Sequence, residues 1–174
     1  MDPNDSFREF MAVHQQSLMR TAYLLTGDAH LAEDLLQSVL LKVLKRWPEL
    51  ADVTSPQAYA RKALVNQYIS WRRRLARVVE LPKAEPPDQP CSTEESTIVR
   101  IVMLRALAQL PPKQRAVIVL RYYEDLTEHE TAKLLSCSIG TVKSQAHHAL
   151  ARLRVLAPEL APKFAEMDLK GAHR

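Results

Sequence analysis

The sequence predicts an all-α protein of two small helical domains joined by a flexible linker. Three observations carry that expectation. Only 3 of its 174 residues are glycine while 11 are proline, which suits helices with proline-marked ends better than sheets with tight turns. Apolar residues recur at helical spacing along most of the chain, and the one strand-like run, "RAVIVLRYY", stands alone. Between two helical blocks, "ELPKAEPPDQPCSTEE" is rich in proline and acid without a helical period, so it reads as an extended tether. The expected boundaries are residues 6–78 for the first domain, 79–96 for the linker, 97–157 for the second domain and 158–174 for a C-terminal tail. The tail reads as a frayed end in preference to a regulatory or degradation handle.

Each helix announces its start. Ser6 with Glu9 forms a capping box before "FREFMAVHQQSLMRTAYLL". Gly27 ends that helix, and Asp28 caps the next, "AHLAEDLLQSVLLKVLKRW". Residues 48–56 read as a loop. Ser55 and Pro56 then supply an N-cap and a first-turn proline for "QAYARKALVNQYISWRRRLAR". Helical pattern resumes at "STIVRIVMLRALAQL", breaks at Pro111 and Pro112, and continues through "KQRAVIVLRYYED".

Thr127 with Glu130 is a second capping box, opening a helix over Glu128–Leu135. "SCSIG" is a short turn, and Ser138 caps a helix over Ile139–Leu156. Ala132 is small where two helices must cross, and Cys137 fits the turn as an apolar plug. Val142, Ala146, Ala149, Leu150 and Leu153 make one buried stripe. Two short helices, a tight turn and a small residue in the first helix are a helix-turn-helix. The opposite face carries Lys143, Ser144, Gln145, His147, His148 and Arg152, with no acid between Thr131 and Pro158. Glutamine can bind adenine through two hydrogen bonds, and lysine can bind guanine or phosphate. A merely solvated face usually mixes acid with base, so DNA contact is the favoured reading.

A second acid-free window runs from Thr54 to Val79. Lys62, Asn66, Ile69 and Arg73 share one stripe of its helix, Arg61 and Arg72 lie on another, and Arg74 and Arg77 extend the basic end. Tyr59, Tyr68 and Trp71 are interleaved. Cations for phosphates and flat rings for bases are what a single strand needs. Trp71 fits a core position equally well, since it shares an arc with Leu64.

The preceding helix buries a broad arc of Leu31, Leu35, Leu36, Val39, Leu40, Val43, Leu44 and Trp47. Leu41 falls outside it, among Asp34, Gln37 and Lys45. It is either one stray exposed leucine or the centre of a protein-docking face.

Other classes find little support. No apolar run is long enough to span a bilayer, and the N-terminus lacks the basic and apolar regions of a secretory signal. Cys91 and Cys137 have no CxxC spacing, so two free thiols in a reducing cytosol are expected. His147 and His148 point in different directions on a helix with no ligand cluster nearby, so neither metal nor cofactor is expected. No nucleophile–base pair or phosphate loop suggests an enzyme.

These residues resemble the extracytoplasmic-function (ECF) sigma factors, small two-domain members of the bacterial sigma-70 family. "AEDLLQSVLLKVLKRW" resembles the region-two helix that docks on the clamp coiled coil of RNA polymerase. "PQAYARKALVNQYISWRRR" resembles the helix that engages the −10 element. "LPPKQRAVIVLRYYEDLTEHETAKLLSCSIGTVKSQAHHALARLR" resembles region four, which reads the −35 element. The resemblance covers nearly the whole chain in family order, and leans toward the actinobacterial SigE-type branch.

The resemblance implies partners and roles. Asp34, Gln37, Leu41 and Lys45 would contact the polymerase clamp, with the flap as a second polymerase contact. Residues 49–55 would hold a base flipped from the −10 strand, an extrusion that costs a few kcal/mol. Arg61, Lys62, Asn66, Arg72 and Arg73 would track that single strand. Thr141, Lys143, Ser144, Gln145, His148 and Arg152 would enter the double-stranded −35 element. The acidic linker would thread toward the RNA exit path, and an anti-sigma factor is a further conceivable partner.

The chain departs from the family's usual arginines at Gln145 and His148, its glycine at Ser136 and its aliphatic residue at Thr131. A free-standing, dimeric helix-turn-helix regulator would also use the second domain, but leaves the first unexplained. A protein-interaction module of the anti-sigma or adaptor kind would explain neither basic helix.

Overall fold

The computed structural model describes residues 3–53, 55–78 and 94–172, and every regular element among them is helical. The first domain is α1 (Pro3–Thr26), α2 (Ala29–Lys45), α3 (Trp47–Val53) and α4 (Pro56–Val78). The second is α5 (Glu94–Ala108), α6 (Pro112–Ile118) running into a π-helical turn (Val119–Tyr123), α7 (Glu128–Leu135) and α8 (Ile139–Leu156). A 3₁₀ turn (Pro158–Leu160) and α9 (Ala161–Ala172) follow.

In the first domain, α1 and α2 form a hairpin closed by α4. Gly27 breaks α1 with φ +74°, and Asp28 accepts the Leu31 N–H at 2.8 Å as the N-cap of α2. Leu18, Leu25, Leu35, Leu36, Val39, Val43, Leu64 and Val65 fill the centre. Phe7, Phe10 and Trp47 close one end, the Phe7 and Trp47 rings meeting edge to face at 5.1 Å.

Three expectations need correction here. Ser6 is not an N-cap: α1 begins at Pro3, and the Ser6 hydroxyl accepts from Trp47 Nε1 at 2.8 Å. Residues 48–56 are not all loop, because Trp47–Val53 is helical, with Pro48 in the first turn where its missing N–H costs nothing. Leu31 and Leu44 sit at the edges of the apolar arc and are exposed rather than buried.

The second domain starts earlier than expected, since Glu94 already belongs to α5; residues 79–93 of the linker, with Cys91, lie outside the described residues. "RAVIVLRYY" is helix, not strand. All of residues 115–121 are buried, which erased the one-sided periodicity. The helix-turn-helix matches its expected bounds: the Thr127–Glu130 capping box is present, and Ser138 caps α8.

The tail is not frayed. Leu160 and Phe164 enter the core with Leu107, Leu150 and Leu153, and Arg154 pairs with Asp168. Burying the Leu160 and Phe164 side chains is worth about 2 kcal/mol each, enough to dock a short helix.

The two domains pack on each other. Ala116, Val119 and Leu120 of the second share one apolar cluster with the first domain's core, and Leu126, Leu134 and Leu135 pack against it. Arg115 crosses the boundary: only 2% exposed, its Nε donates to the Leu24 carbonyl at 2.7 Å.

Candidate nucleic-acid interface

The α7–α8 corner is fixed from its caps inward. The Thr127 hydroxyl accepts the Glu130 N–H at 3.1 Å, and the Glu130 carboxylate accepts the Thr127 N–H at 2.7 Å. Those bonds hold the Glu130 carboxyl below the usual glutamate range, the backbone bond contributing most. Ser136 ends α7 in the left-handed region, at φ 53° and ψ 48°. Ser138 accepts the Thr141 N–H at 3.1 Å, starting α8 with Val142 turned into the core against Val117 and Ala132. Cys137 is half-buried beside this small cluster, as a plug would be.

That register turns Thr141, Lys143, Ser144, His147, His148 and Arg152 outward along α8, all exposed. Two qualifications come from space rather than sequence. Glu128 of α7 reaches Lys143 at 3.5 Å, so the acid-free window does have an acid beside it. Gln145 is half-buried, and it lines a small cleft with Ile69 of α4. The His147 and His148 rings sit 5.8 Å apart, and no trio of possible metal ligands forms among the described residues.

On α4, Lys62, Asn66 and Arg73 are exposed along one side, and Ile69 between them is half-buried. Trp71 is half-buried against the core, and Tyr68 is fully buried, so neither ring is laid open for stacking. Tyr59 takes a cation: Arg46 lies over its ring at 5.4 Å. Arg72 is half-buried beside Arg115 and Tyr68. Burial pushes the Tyr68 phenol up and pulls the Arg115 guanidinium below its usual value, though an arginine stays charged. Arg61 is not free: its Nε lies 2.8 Å from Glu124, with both side chains less than a fifth exposed. Residues 49–55, expected as a base-holding loop, are helical through Val53.

The third set lies on α2. Asp34, Gln37, Leu41 and Lys45 are all exposed and follow helical spacing along one face. Leu41 is 60% exposed, and the unexpectedly exposed Leu31 and Leu44 extend the same face. Three exposed leucines among polar groups on one helix face are more than a single stray residue accounts for.

Sequence reading missed Arg115, Arg121, Glu124 and Glu128. Arg115 and Arg121 bracket an apolar run, and buried arginines at both ends of such a run were the available signal. The two glutamates act from other elements, so no local window pointed to them.

Two family descriptions fit this architecture. Residues 10–78 match sigma-70 region 2, and residues 100–153 match sigma-70 region 4. The chain belongs to the sigma-70 family. Among curated relatives, the RNA polymerase sigma-E factor of Streptomyces coelicolor is 38% identical over 165 residues, covering 93% of both chains. That of Streptomyces avermitilis is 40% identical over 151 residues, covering 85% of this chain and 83% of that one. The ECF RNA polymerase sigma factor SigL of Mycobacterium tuberculosis is 35% identical, covering 84% and 86%. In solved structures, the sigma factor RpoE, in complex with the anti-sigma factor NepR from Bartonella quintana, superposes with a TM-score of 0.69. The match covers 88% of this sigma factor and 97% of that chain at 25% identity. CnrH, solved with the cytosolic domain of CnrY, shares the fold with a TM-score of 0.62 at 18% identity, covering 90% of each chain. Within the sigma factor, α1–α4 are therefore region 2 and the helix-turn-helix belongs to region 4.

Proposed function

We propose that this ECF sigma factor binds core RNA polymerase and directs promoter-specific initiation through three surfaces. The α2 face of Asp34, Gln37, Leu41 and Lys45 docks on the polymerase clamp. On α4, Lys62, Asn66 and Arg73 along one stripe, with Arg61 and Arg72 on another, hold the −10 single strand. The α8 row of Thr141, Lys143, Ser144, Gln145, His148 and Arg152 reads the −35 duplex. The observation that carries this reading is the pairing, in one chain and in family order, of two acid-free helices with a separate apolar docking face.

The mechanism is positional. As a sigma factor the chain is an initiation factor, not an enzyme, working in the cytoplasm with RNA polymerase on the nucleoid. Phosphate contacts fix register while side chains of α8 read base edges to select sequence. Holding both domains on one polymerase makes the second DNA contact effectively intramolecular, which raises its effective concentration.

Run-off transcription tests it. The purified chain is mixed with core polymerase and a fragmented genomic library, beside an Asp34→Arg/Leu41→Glu variant. Initiation at discrete sites, lost in the variant, is expected. A chain that ignores core polymerase yet footprints DNA alone overturns the reading in favour of a free-standing regulator.

A further inference from the structure

A cleft of about 400 Å³ opens where α1 of region 2 meets α5, the π-helical turn and α9 of region 4. It holds none of the residues assigned above to polymerase or to DNA. Three cations line it, each from a different helix: Arg20 of α1, Arg100 of α5 and Lys163 of α9. All three are exposed, and none makes an ion pair among the described residues. Nor does any carboxylate line the cleft among those residues. Acids enter only in the adjoining cleft, where Asp125 and Glu166 share Met103, Tyr123 and Lys163 with this one.

The rest of the wall is aliphatic and aromatic. Leu24 of α1 and Val99 and Leu104 of α5 supply apolar surface, beside the rings of Tyr23 and Tyr123. The Tyr23 hydroxyl is buried and has no hydrogen-bond partner among the described residues, which is uncommon for a buried polar atom. Burial pushes this phenol up against the pull of Arg100, so near neutral pH it keeps a proton to donate.

We infer that the cleft binds a small phosphate ester with a flat or aliphatic body, its phosphate on Arg20, Arg100 and Lys163 and its body against Val99, Leu104 and the two tyrosines.

Charge selects the anion. A phosphate monoester carries close to two negative charges and three acceptor oxygens. That suits three cations and a spare hydroxyl better than a single carboxylate does. Room selects the body. About 400 Å³ is the share of roughly a dozen waters and falls within the range of ligand pockets. A bare phosphate leaves most of that space, and the whole apolar wall, unused. Because the walls come from both domains, a bound molecule touches regions 2 and 4 at once. Its binding free energy adds to the stability of the free chain, so occupancy is readable as a rise in Tm.

The test uses the full chain and 1-naphthyl phosphate, followed by calorimetric titration and by Tm. Saturable binding is expected, at least about tenfold tighter than that of inorganic phosphate or 1-naphthol, which carry only the charge or only the body. Arg20→Gln/Arg100→Gln should weaken it at least about tenfold. Val99→Trp fills the apolar wall and leaves the cations, so it should weaken the ester while inorganic phosphate binding stays unchanged. If circular dichroism shows that Val99→Trp misfolds, the arginine pair, at exposed positions, decides alone. Adenosine monophosphate and octyl phosphate, titrated alongside, tell a nucleotide body from an aliphatic one. Failure of all three esters overturns the inference. So does binding that survives the arginine changes, which would place the ester on the basic faces of α4 and α8. Equal competition by hexaglutamate also overturns it, and would make the cleft a docking surface for acidic protein segments.

Discussion

Arg115 of region 4 caps the C-terminal end of α1 in region 2: its Nε donates to the Leu24 carbonyl at 2.7 Å from a site 2% exposed. Helix ends leave carbonyls without partners and carry partial negative charge, so a cation there satisfies both needs. Gly27 completes the arrangement. A β-carbon on it would stand 3.0 Å from Arg115 Nη2, on a backbone with φ +74°. We expect Arg115→Ala to cost about 2–3 kcal/mol, because it removes a buried charged donor and leaves a hole. Gly27→Ala should cost about 1–2 kcal/mol from backbone strain and the clash. In the Arg115→Ala background the clash is gone, so the double variant should be less destabilised than the sum by about 0.5–1 kcal/mol. Urea unfolding of the four chains checks this; additive costs would show that the guanidinium does not press on Gly27.

Two departures from the family pattern are stability liabilities. The Thr131 side chain is fully buried with no hydrogen-bond partner for its hydroxyl. Thr131→Val keeps the shape, removes the stranded group and should stabilise by about 1 kcal/mol, a rise in Tm of about 2–4 °C. Ser136 holds φ 53° at the end of α7, where an L side chain is strained and glycine is not. Ser136→Gly should add about 0.5–1 kcal/mol after the extra entropy of unfolded glycine is subtracted. Calorimetry on the two single variants decides both, and a fall in Tm for Thr131→Val would mean that its hydroxyl has a partner.

What the sequence disclosed follows the range of the forces involved. The capping box at Thr127, the caps at Asp28 and Ser138 and the break at Gly27 are local, so a few residues specify each. The α8 stripe of Val142, Ala149, Leu150 and Leu153 shows its helical period because one side of that helix stays in water. The run at residues 115–121 hid its type because burial on every side leaves no polar face to mark the period. Phe164 was overlooked rather than illegible: Leu160, Phe164 and Met167 recur at helical spacing, but Pro158 and Pro162 at the start of the segment made it read as a chain end. The basic rows on α4 and α8 were legible as residue types, yet the pairing of Arg61 with Glu124 and of Lys143 with Glu128 was not. Those carboxylates come from elsewhere in the chain.

The capping box gives a pH signature. Glu130 accepts the Thr127 N–H and hydroxyl, and its carboxyl is held below the usual glutamate range by those bonds. A depressed folded value means that the stabilisation is complete above the unfolded glutamate pKa and is lost as pH falls through the lower folded value. Glu130→Gln should therefore be less stable than the parent at neutral pH, with the difference shrinking between about pH 5 and 3. The carboxylate is exposed, so solvent screening keeps the effect below about 1 kcal/mol. Thr127→Ala, which removes the hydroxyl cap, should cost about 1 kcal/mol. Thermal melts across that pH range test the pair, and a difference for Glu130→Gln that grows toward acid would reverse the assigned sign.

Lys143 and Gln145 both stand in the second turn of α8 but should fail differently. Lys143 is exposed and balanced by Glu128 at 3.5 Å, so on the proposed −35 duplex it would act as a screened charge on phosphate. Lys143→Gln should weaken −35 duplex binding by the polymerase complex evenly across sequences and lower the salt slope by about one ion. Gln145, half-buried in a cleft that it shares with Ile69, offers a neutral two-bond edge instead. Gln145→Ala should leave the salt slope unchanged, cost about 1–3 kcal/mol on the preferred duplex and relax selection at one base position. Glu128→Gln is no clean route to a stronger Lys143. Glu128 also lies 3.8 Å from Arg121, whose side chain is only 3% exposed, so that variant should lose stability even as DNA affinity rises. Binding isotherms at several salt concentrations separate the three. A lowered slope for Gln145→Ala, or a flat one for Lys143→Gln, would exchange the roles of the two side chains.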